Sequence, residues 1–317
     1  MFARKPEMSA KLKSTPRNFA CRASQASIDQ QDAKFRGGPA LAAVTGGYVL
    51  TALACLLLAG ACASSSSGQS TADALTVILG GDQRTPEERA RDVYRHPKDT
   101  LLFFGIRPEM KVLEVWPEPG WYTAVIAPLV REKGKYYAAV IAEDPSSKYI
   151  THRLEEYRAR LAARPEVYDR VSVVTFPDDG GDAVPAGSVD MVLTFRNIHN
   201  WMARDHAAQA FASMYRALRP GGVLGVVEHR GNAAVPQDPK AKSGYVNEDY
   251  AIKLIEAQGF RLVAKSTVND NPRDTKDYEQ GVWTLPPSYR LGAKDREKYA
   301  AIGESDRFTL RFVKPGH

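Results

Sequence analysis

Arg196-Asn-Ile-His-Asn-Trp201 gathers a guanidinium, two carboxamides, an imidazole and an indole within six positions. His199 is the candidate catalytic residue, because an imidazole changes charge near neutral pH and can take a proton from a hydroxyl or amine nucleophile. Its competing use is a hydrogen bond that orders its own loop. Asn197 and Asn200 offer amides either to a ligand or to a turn. Arg196 suits a carboxylate, with Glu228 as the alternative partner across neighbouring strand ends. Trp201 and Trp121 could stack on an aromatic ligand, and core packing is the alternative. Further along, Glu228, His229 and Arg230 stand together. With His199 they are metal-ligand types, but their spacing is not one that marks a metal site, and no metal is expected.

These groups fall at the ends of short apolar runs. Thr85-Pro86-Glu87-Glu88 is a capping box with proline at the first helical position, predicting a helix to about His96-Pro97. A short helix to Gly105 follows. Strands are then predicted at Lys111–Trp116, Lys135–Ile141, Val171–Phe176, Val189–Thr194 and Gly222–Glu228. Helices are predicted between them, at Trp121–Arg131, Ser147–Ala163 and Arg204–Leu218, and beyond them at Glu248–Gln258, stopped by Gly259. Arg261–Ser266 and Arg307–Val313 alternate as final strands. Such an order implies an α/β, Rossmann-like, doubly wound sheet, mostly parallel with an antiparallel last strand. Ligands of such sheets bind beyond the carboxyl ends of the strands, where the strand order reverses. Residues 267–306 form an insertion before the last strand, and its aromatic and proline content predicts an ordered lid over that crevice.

Charge is distributed unevenly. Of the net +6, residues 1–61 hold eight basic and three acidic side chains, leaving one positive charge for the rest. A nearly neutral body lacks the footprint of a nucleic-acid binder. Cys21, Cys55 and Cys62 all lie outside the body, which excludes a disulfide, a thiolate zinc site or a cysteine nucleophile within it. The apolar run Ala40–Ala61 follows basic residues and is long enough to cross a bilayer. Leu58-Ala59-Gly60-Ala61-Cys62 resembles a bacterial lipoprotein box, which implies lipid attachment at Cys62. The expected organisation is a leader and signal segment over 1–61, a tether over 62–83 and a body over 84–317. The expected location is the bacterial cell envelope, as a periplasm-facing lipoprotein attached to the membrane by its N-terminal segment. An uncleaved inner-membrane anchor is the alternative.

Val112-Leu-Glu-Val-Trp-Pro-Glu-Pro-Gly-Trp-Tyr-Thr123 resembles the first motif of class I S-adenosylmethionine-dependent methyltransferases. Glu114 matches its acid and Gly120 its last glycine. The run Arg196–Trp201 lies at the place of the fourth motif, and Arg216-Ala-Leu-Arg-Pro-Gly-Gly222 resembles the turn before the fifth strand. The tryptophan-proline turn and His-Asn-Trp run are similar to bacterial predicted methyltransferases that often carry signal peptides. The resemblance implies S-adenosylmethionine as cofactor, with Glu114, Trp116, Gly120, Tyr122, Glu143 and Asn197 as its binding residues. For a small-molecule substrate it implies Arg196, Asn200, Trp201, Glu228 and His229. This chain departs from the pattern in its turn, where Trp116 and Glu118 stand at glycine positions and Pro119 removes a donor. Val140 stands where the family places the ribose-binding acid, leaving Glu143 or Asp144 to replace it. The implied activity is methyl transfer to a small molecule. The alternative is an exported lipoprotein of this fold that binds a ligand without methylating it, because S-adenosylmethionine is made in the cytoplasm.

Overall fold

The computed structural model describes residues 70–316. The leader, Cys62 and the first part of the tether lie outside them. Among the described residues no helix is long and apolar enough to cross a membrane. The apolar runs become β1 (Lys111–Val115), β2 (Lys135–Ile141), β3 (Val171–Phe176), β4 (Val189–Phe195), β5 (Leu218–His229), β6 (Arg261–Ser266) and β7 (Arg307–Val313). They form one sheet in the order β3-β2-β1-β4-β5-β7-β6. The strands β1 to β5 pair in parallel, and β7 runs antiparallel to both β5 and β6. Strand order reverses between β1 and β4, so a crevice opens beyond their carboxyl ends. The middle of β4 and of β5 is buried, as strands covered on both faces must be.

Helices cover the two faces. The first runs through residues 70–79 as α1. Then come α2 (Pro86–Arg89), α3 (Asp92–Arg95) and α4 (Pro97–Phe104). The single helix expected after Thr85 is thus two. Its capping box forms as predicted, but the chain breaks at Ala90-Arg91, where buried Arg84 donates to Glu88 O and to both oxygens of Asp92. His96 closes α3 at φ 39°, since the residue before Pro97 is kept out of the helical region. Around the sheet follow α5 (Thr123–Val130), α6 (Lys148–Ala163), α7 (Pro165–Tyr168), α8 (Ile198–Ala203), α9 (Ala207–Ala217) and α10 (Glu248–Glu256). The 267–306 segment contains a 3-10 turn at Gly281–Thr284 and α11 (Arg296–Ile302).

Two close approaches set the geometry. At Gly225 in β5 a Cβ would lie 2.6 Å from Leu193 and 2.7 Å from Phe104, so the glycine lets α4 press onto the sheet. At Gly120, φ is +99° and a Cβ would lie 2.7 Å from Arg160 and 3.2 Å from Tyr157. This second glycine seats the turn after β1 against α6.

Candidate functional site

A cavity of about 430 Å³ opens beyond the carboxyl ends of β1, β4 and β5. Its floor carries Glu114, Trp116, Phe195, Asn197 and His229. Arg91 and Arg95 reach it from the N-terminal helices, and Trp283, Pro286, Pro287 and Ser305 from the 267–306 segment.

The turn after β1 is built without the usual glycines. Trp116 takes φ +54°, and its N–H is bonded to Ala139 O at 2.8 Å. Pro117 and Pro119 have no N–H, and Gly120 N–H turns back to Pro117 O at 2.7 Å. The backbone donors that such a turn would aim at a ligand are therefore few. In exchange, the Glu118 side chain crosses to the end of β2, where Oε1 accepts the Ile141 N–H at 2.9 Å. Burial raises its carboxyl above the ordinary range, and Arg153 opposes that shift.

Glu114 lies beneath this turn, 3 % exposed, and accepts the Tyr136 hydroxyl at 2.5 Å. Burial pushes its carboxyl up to about 8; the Tyr136 bond pulls the other way and the nearby Glu118 adds to the rise. The acid is therefore neutral at pH 7 in the ligand-free protein. A native value above the unfolded value near 4.5 means that the folded state holds the proton more tightly. That contribution to stability is complete below about 4.5, declines as pH rises and is gone above about 8. Glu114→Gln has no such titration. Denaturant unfolding at pH 5, 7 and 9 should show wild type losing a few kcal/mol relative to the variant. A constant difference across that range would contradict this account of Glu114.

The opposite wall holds a histidine–carboxylate pair. The stretch Ile198–Ala203, expected as a loop, is the helical turn α8, with His199 in its first turn. Glu228, fully buried at the end of β5, accepts His199 N–H at 3.3 Å, His229 N–H at 2.7 Å and His199 Nδ1 at 3.1 Å. In the tautomer whose Nδ1 donates to Glu228, Nε2 keeps its lone pair. His199 is 7 % exposed and faces the cavity, and among the described residues no protein group bonds Nε2. His229 bonds Ser305 Oγ through Nδ1 at 2.5 Å, and its ring centre is 5.5 Å from that of His199. Burial holds His229 well below the usual imidazole range, and His199, Arg307 and Arg196 push it the same way. The ligand atoms of His199, Glu228 and His229 lie within 4.8 Å of one another, a set of metal-ligand types. Three N–H donors occupy the Glu228 oxygens, so here the carboxylate orients His199.

Of the residues expected from sequence, Glu114, Trp116, Tyr122, Arg196, Asn197, His199, Asn200 and His229 come together around this cavity. Asn197 also ties the strands, its Nδ2 donating to Val115 O at 2.9 Å and Thr194 Oγ1 at 3.1 Å. Arg196 does not pair with Glu228, which is committed to the histidines. Glu228 itself sits behind His199 and does not line the cavity. Three expected residues lie elsewhere. Glu143 is turned to solvent and paired with Arg158. Trp201 is 2 % exposed and packs in the core against Trp116 and Phe211, as apolar bulk on the inner face of α8 must. Gly120 faces α6 and not the cavity. Trp121 lines the cavity but is held by Arg84 and Arg95, whose guanidinium carbons lie 5.1 and 4.7 Å from its ring centre. No sequence motif marks Arg91, Arg95, Glu304 or Arg307, and Glu118 stands in the first motif only as a departure.

Residues 119–226, about a third of the chain, match the family model described as a methyltransferase domain. The sheet order and antiparallel β7 complete the picture. This is a Rossmann-like methyltransferase fold. Among solved structures, the [4+2]-cyclase SpnF is similar with a TM-score of 0.52 at 17% identity, over 75% of this chain and 86% of that one. A SAM-dependent methyltransferase from Aquifex aeolicus follows at a TM-score of 0.49 and 16% identity, covering 71% and 93%. The glycopeptide N-methyltransferase MtfA gives 0.45 at 16% identity, covering 73% and 100%. No curated protein matches the sequence.

The methyltransferase domain implies S-adenosylmethionine as cofactor. The cavity fits a nucleoside with an amino-acid tail. Its volume lies in the range of small-molecule sites. Glu118 places an acid at the end of β2, and Ile141, Tyr149 and Ile150 line the wall beside it. Trp116 Nε1 is buried without a partner, and the Tyr122 side chain lines the same cavity.

Proposed function

We propose that the protein is an S-adenosylmethionine-dependent methyltransferase acting on a small molecule, with His199 as general base. The observation that carries this reading is the His199–Glu228 pair, which leaves Nε2 open to the cavity at the switch point of a methyltransferase fold. When bound, S-adenosylmethionine supplies an electrophilic methyl group. Glu118 and the Ile141–Ile150 wall hold its nucleoside, and Glu114 and Asn197 are the polar groups available to its amino-acid end. Nε2 of His199 takes the proton from the acceptor's hydroxyl or amine, and Glu228 steadies the imidazolium that results. Trp283, Pro286 and Pro287 give the cavity an apolar wall that excludes water from the reacting groups.

Thermal unfolding with S-adenosylmethionine or S-adenosylhomocysteine tests this directly. A ligand at 100 times its Kd stabilises the fold by about 2.7 kcal/mol. For a body of this size the melting temperature should rise by roughly 5 °C. The second reading, ligand binding without methyl transfer, is favoured by the turn Trp116–Gly120, whose two prolines and inward-bonded N–H groups leave few donors for the cofactor. No shift with either nucleoside at millimolar concentration would decide for it.

A further inference from the structure

We propose that the arginine cluster on the cavity wall is an anion site that takes the carboxylate or phosphate group of the methyl acceptor. The word acceptor rests on the proposed methyltransferase activity; the anion site stands on the charges. Arg91, Arg95, Arg196 and Arg307 all line the cavity. The carboxylate among them is Glu304, 2 % exposed, and three arginines already donate to it. Its Oε1 accepts Arg91 Nε at 2.6 Å, and its Oε2 accepts Arg95 Nε at 3.1 Å and Arg307 Nη2. Three guanidiniums thus share one carboxylate, and the fourth has none. Among the described residues the Arg196 side chain has no ion pair or hydrogen bond. Arg95 Nη1 and Arg307 Nε are buried with no acceptor.

Other carboxylates of the cavity do not offset this charge. Glu88 is paired with Arg160, Glu118 is bonded at the end of β2, and Glu114 is neutral at pH 7. Guanidinium N–H groups left without acceptors are costly, so an anion that completes their hydrogen bonds is favoured. The electrostatics agree. Burial and then the charge of Arg307 lower Arg196 to about 10, and burial and then Arg196 lower Arg95, with the charge of Glu304 opposing both shifts. Arg196 also holds φ +62° at the end of β4, a conformation that non-glycine residues keep mainly where surroundings impose it.

Position assigns the anion to the acceptor. The nucleoside wall of Glu118, Ile141 and Ile150 is one part of the cavity. Arg196 and Arg307 act on His229, whose ring centre is 5.5 Å from that of His199. An anionic group held by these arginines places the rest of its molecule beside the general base. The other source of a carboxylate is the amino-acid end of the cofactor, and the test separates the two.

Melting temperatures of the full chain are measured in sodium phosphate and in sodium benzoate against sodium chloride at equal ionic strength. At about ten times a millimolar Kd, the shift over chloride should be about 2–3 °C. Arg196→Gln should abolish it. Arg196→Gly, which accepts the positive φ without strain, should abolish it as well and guards against a glutamine variant that fails to fold. No shift with either anion, or equal shifts in wild type and both variants, overturns the site. The titration is then repeated with saturating S-adenosylhomocysteine and with 5′-methylthioadenosine, which lacks the amino-acid carboxylate. An anion shift that persists with both supports the acceptor. A shift removed by S-adenosylhomocysteine but kept with methylthioadenosine gives the arginines to the cofactor and overturns the acceptor assignment. A protein that responds to phosphate but binds neither nucleoside refutes the methyltransferase reading and the acceptor with it, while the anion site stands.

Discussion

His199→Gln should lower methyl transfer by about 10²–10⁴-fold while leaving nucleoside binding and melting temperature close to wild type. Glutamine can still donate to Glu228, so the anchoring hydrogen bond is kept and the proton acceptor at Nε2 is lost. Glu228→Gln should also lose activity by a different route. Its amide can donate to Nδ1, reversing the tautomer and leaving Nε2 protonated, the arrangement that disables a histidine–carboxylate pair. Because Glu228 also accepts the backbone N–H groups of His199 and His229, this variant should lose about 1–3 kcal/mol of stability in addition. Rates are read as transfer of labelled methyl from S-adenosylmethionine to acceptors screened from carboxylates and phosphate esters. Wild-type turnover in His199→Gln would remove the imidazole from the mechanism.

Gly120→Val should be a folding variant and not a binding variant. The sequence motif suggests that this glycine admits the cofactor, yet its Cβ position is occupied by Arg160 and Tyr157 of α6, and its φ of +99° strains any other residue. Strain and overpacking together should cost about 2–5 kcal/mol in denaturant unfolding. Arg160 is ion-paired with Glu88, so the damage should extend to the contact between α6 and the N-terminal helices. A Gly120→Val protein of normal stability that has lost nucleoside binding would return this glycine to the cofactor site.

The strands were the most legible part of the chain. Lys135–Ile141, Val171–Phe176, Arg261–Ser266 and Arg307–Val313 form where their sequence patterns place them. The break between α2 and α3 was hidden, since it answers to Arg84 reaching across the turn and not to local propensity. The α8 turn was hidden too: its few residues carry little helical periodicity, and only the buried faces of Ile198, Trp201 and Met202 mark it. Cavity-lining residues at the ends of parallel strands could be anticipated from topology, as His199, Arg196 and Asn197 show. Glu118 could not, because a side chain that replaces a glycine reads as an obstacle until the turn is seen to send it toward β2. The arginine cluster was least legible. Arg91 and Glu304 are 213 positions apart, and nothing local in either segment announces the other.

The place of β7 governs when the molecule becomes competent. This strand comes last in the sheet's sequence order but sits between β5 and β6, holding both. During synthesis, β5 and β6 therefore emerge with their pairing edges bare, and they stay so until residues 307–313 have left the ribosome. Bare strand edges are templates for wrong partners, so this interval is when a nascent chain is most in need of a holding chaperone. Arg307 at the start of β7, with Glu304 and Ser305 just before it, completes the cavity wall. Closure of the sheet and completion of the binding wall are thus one event, and a chain stalled just short of β7 has neither.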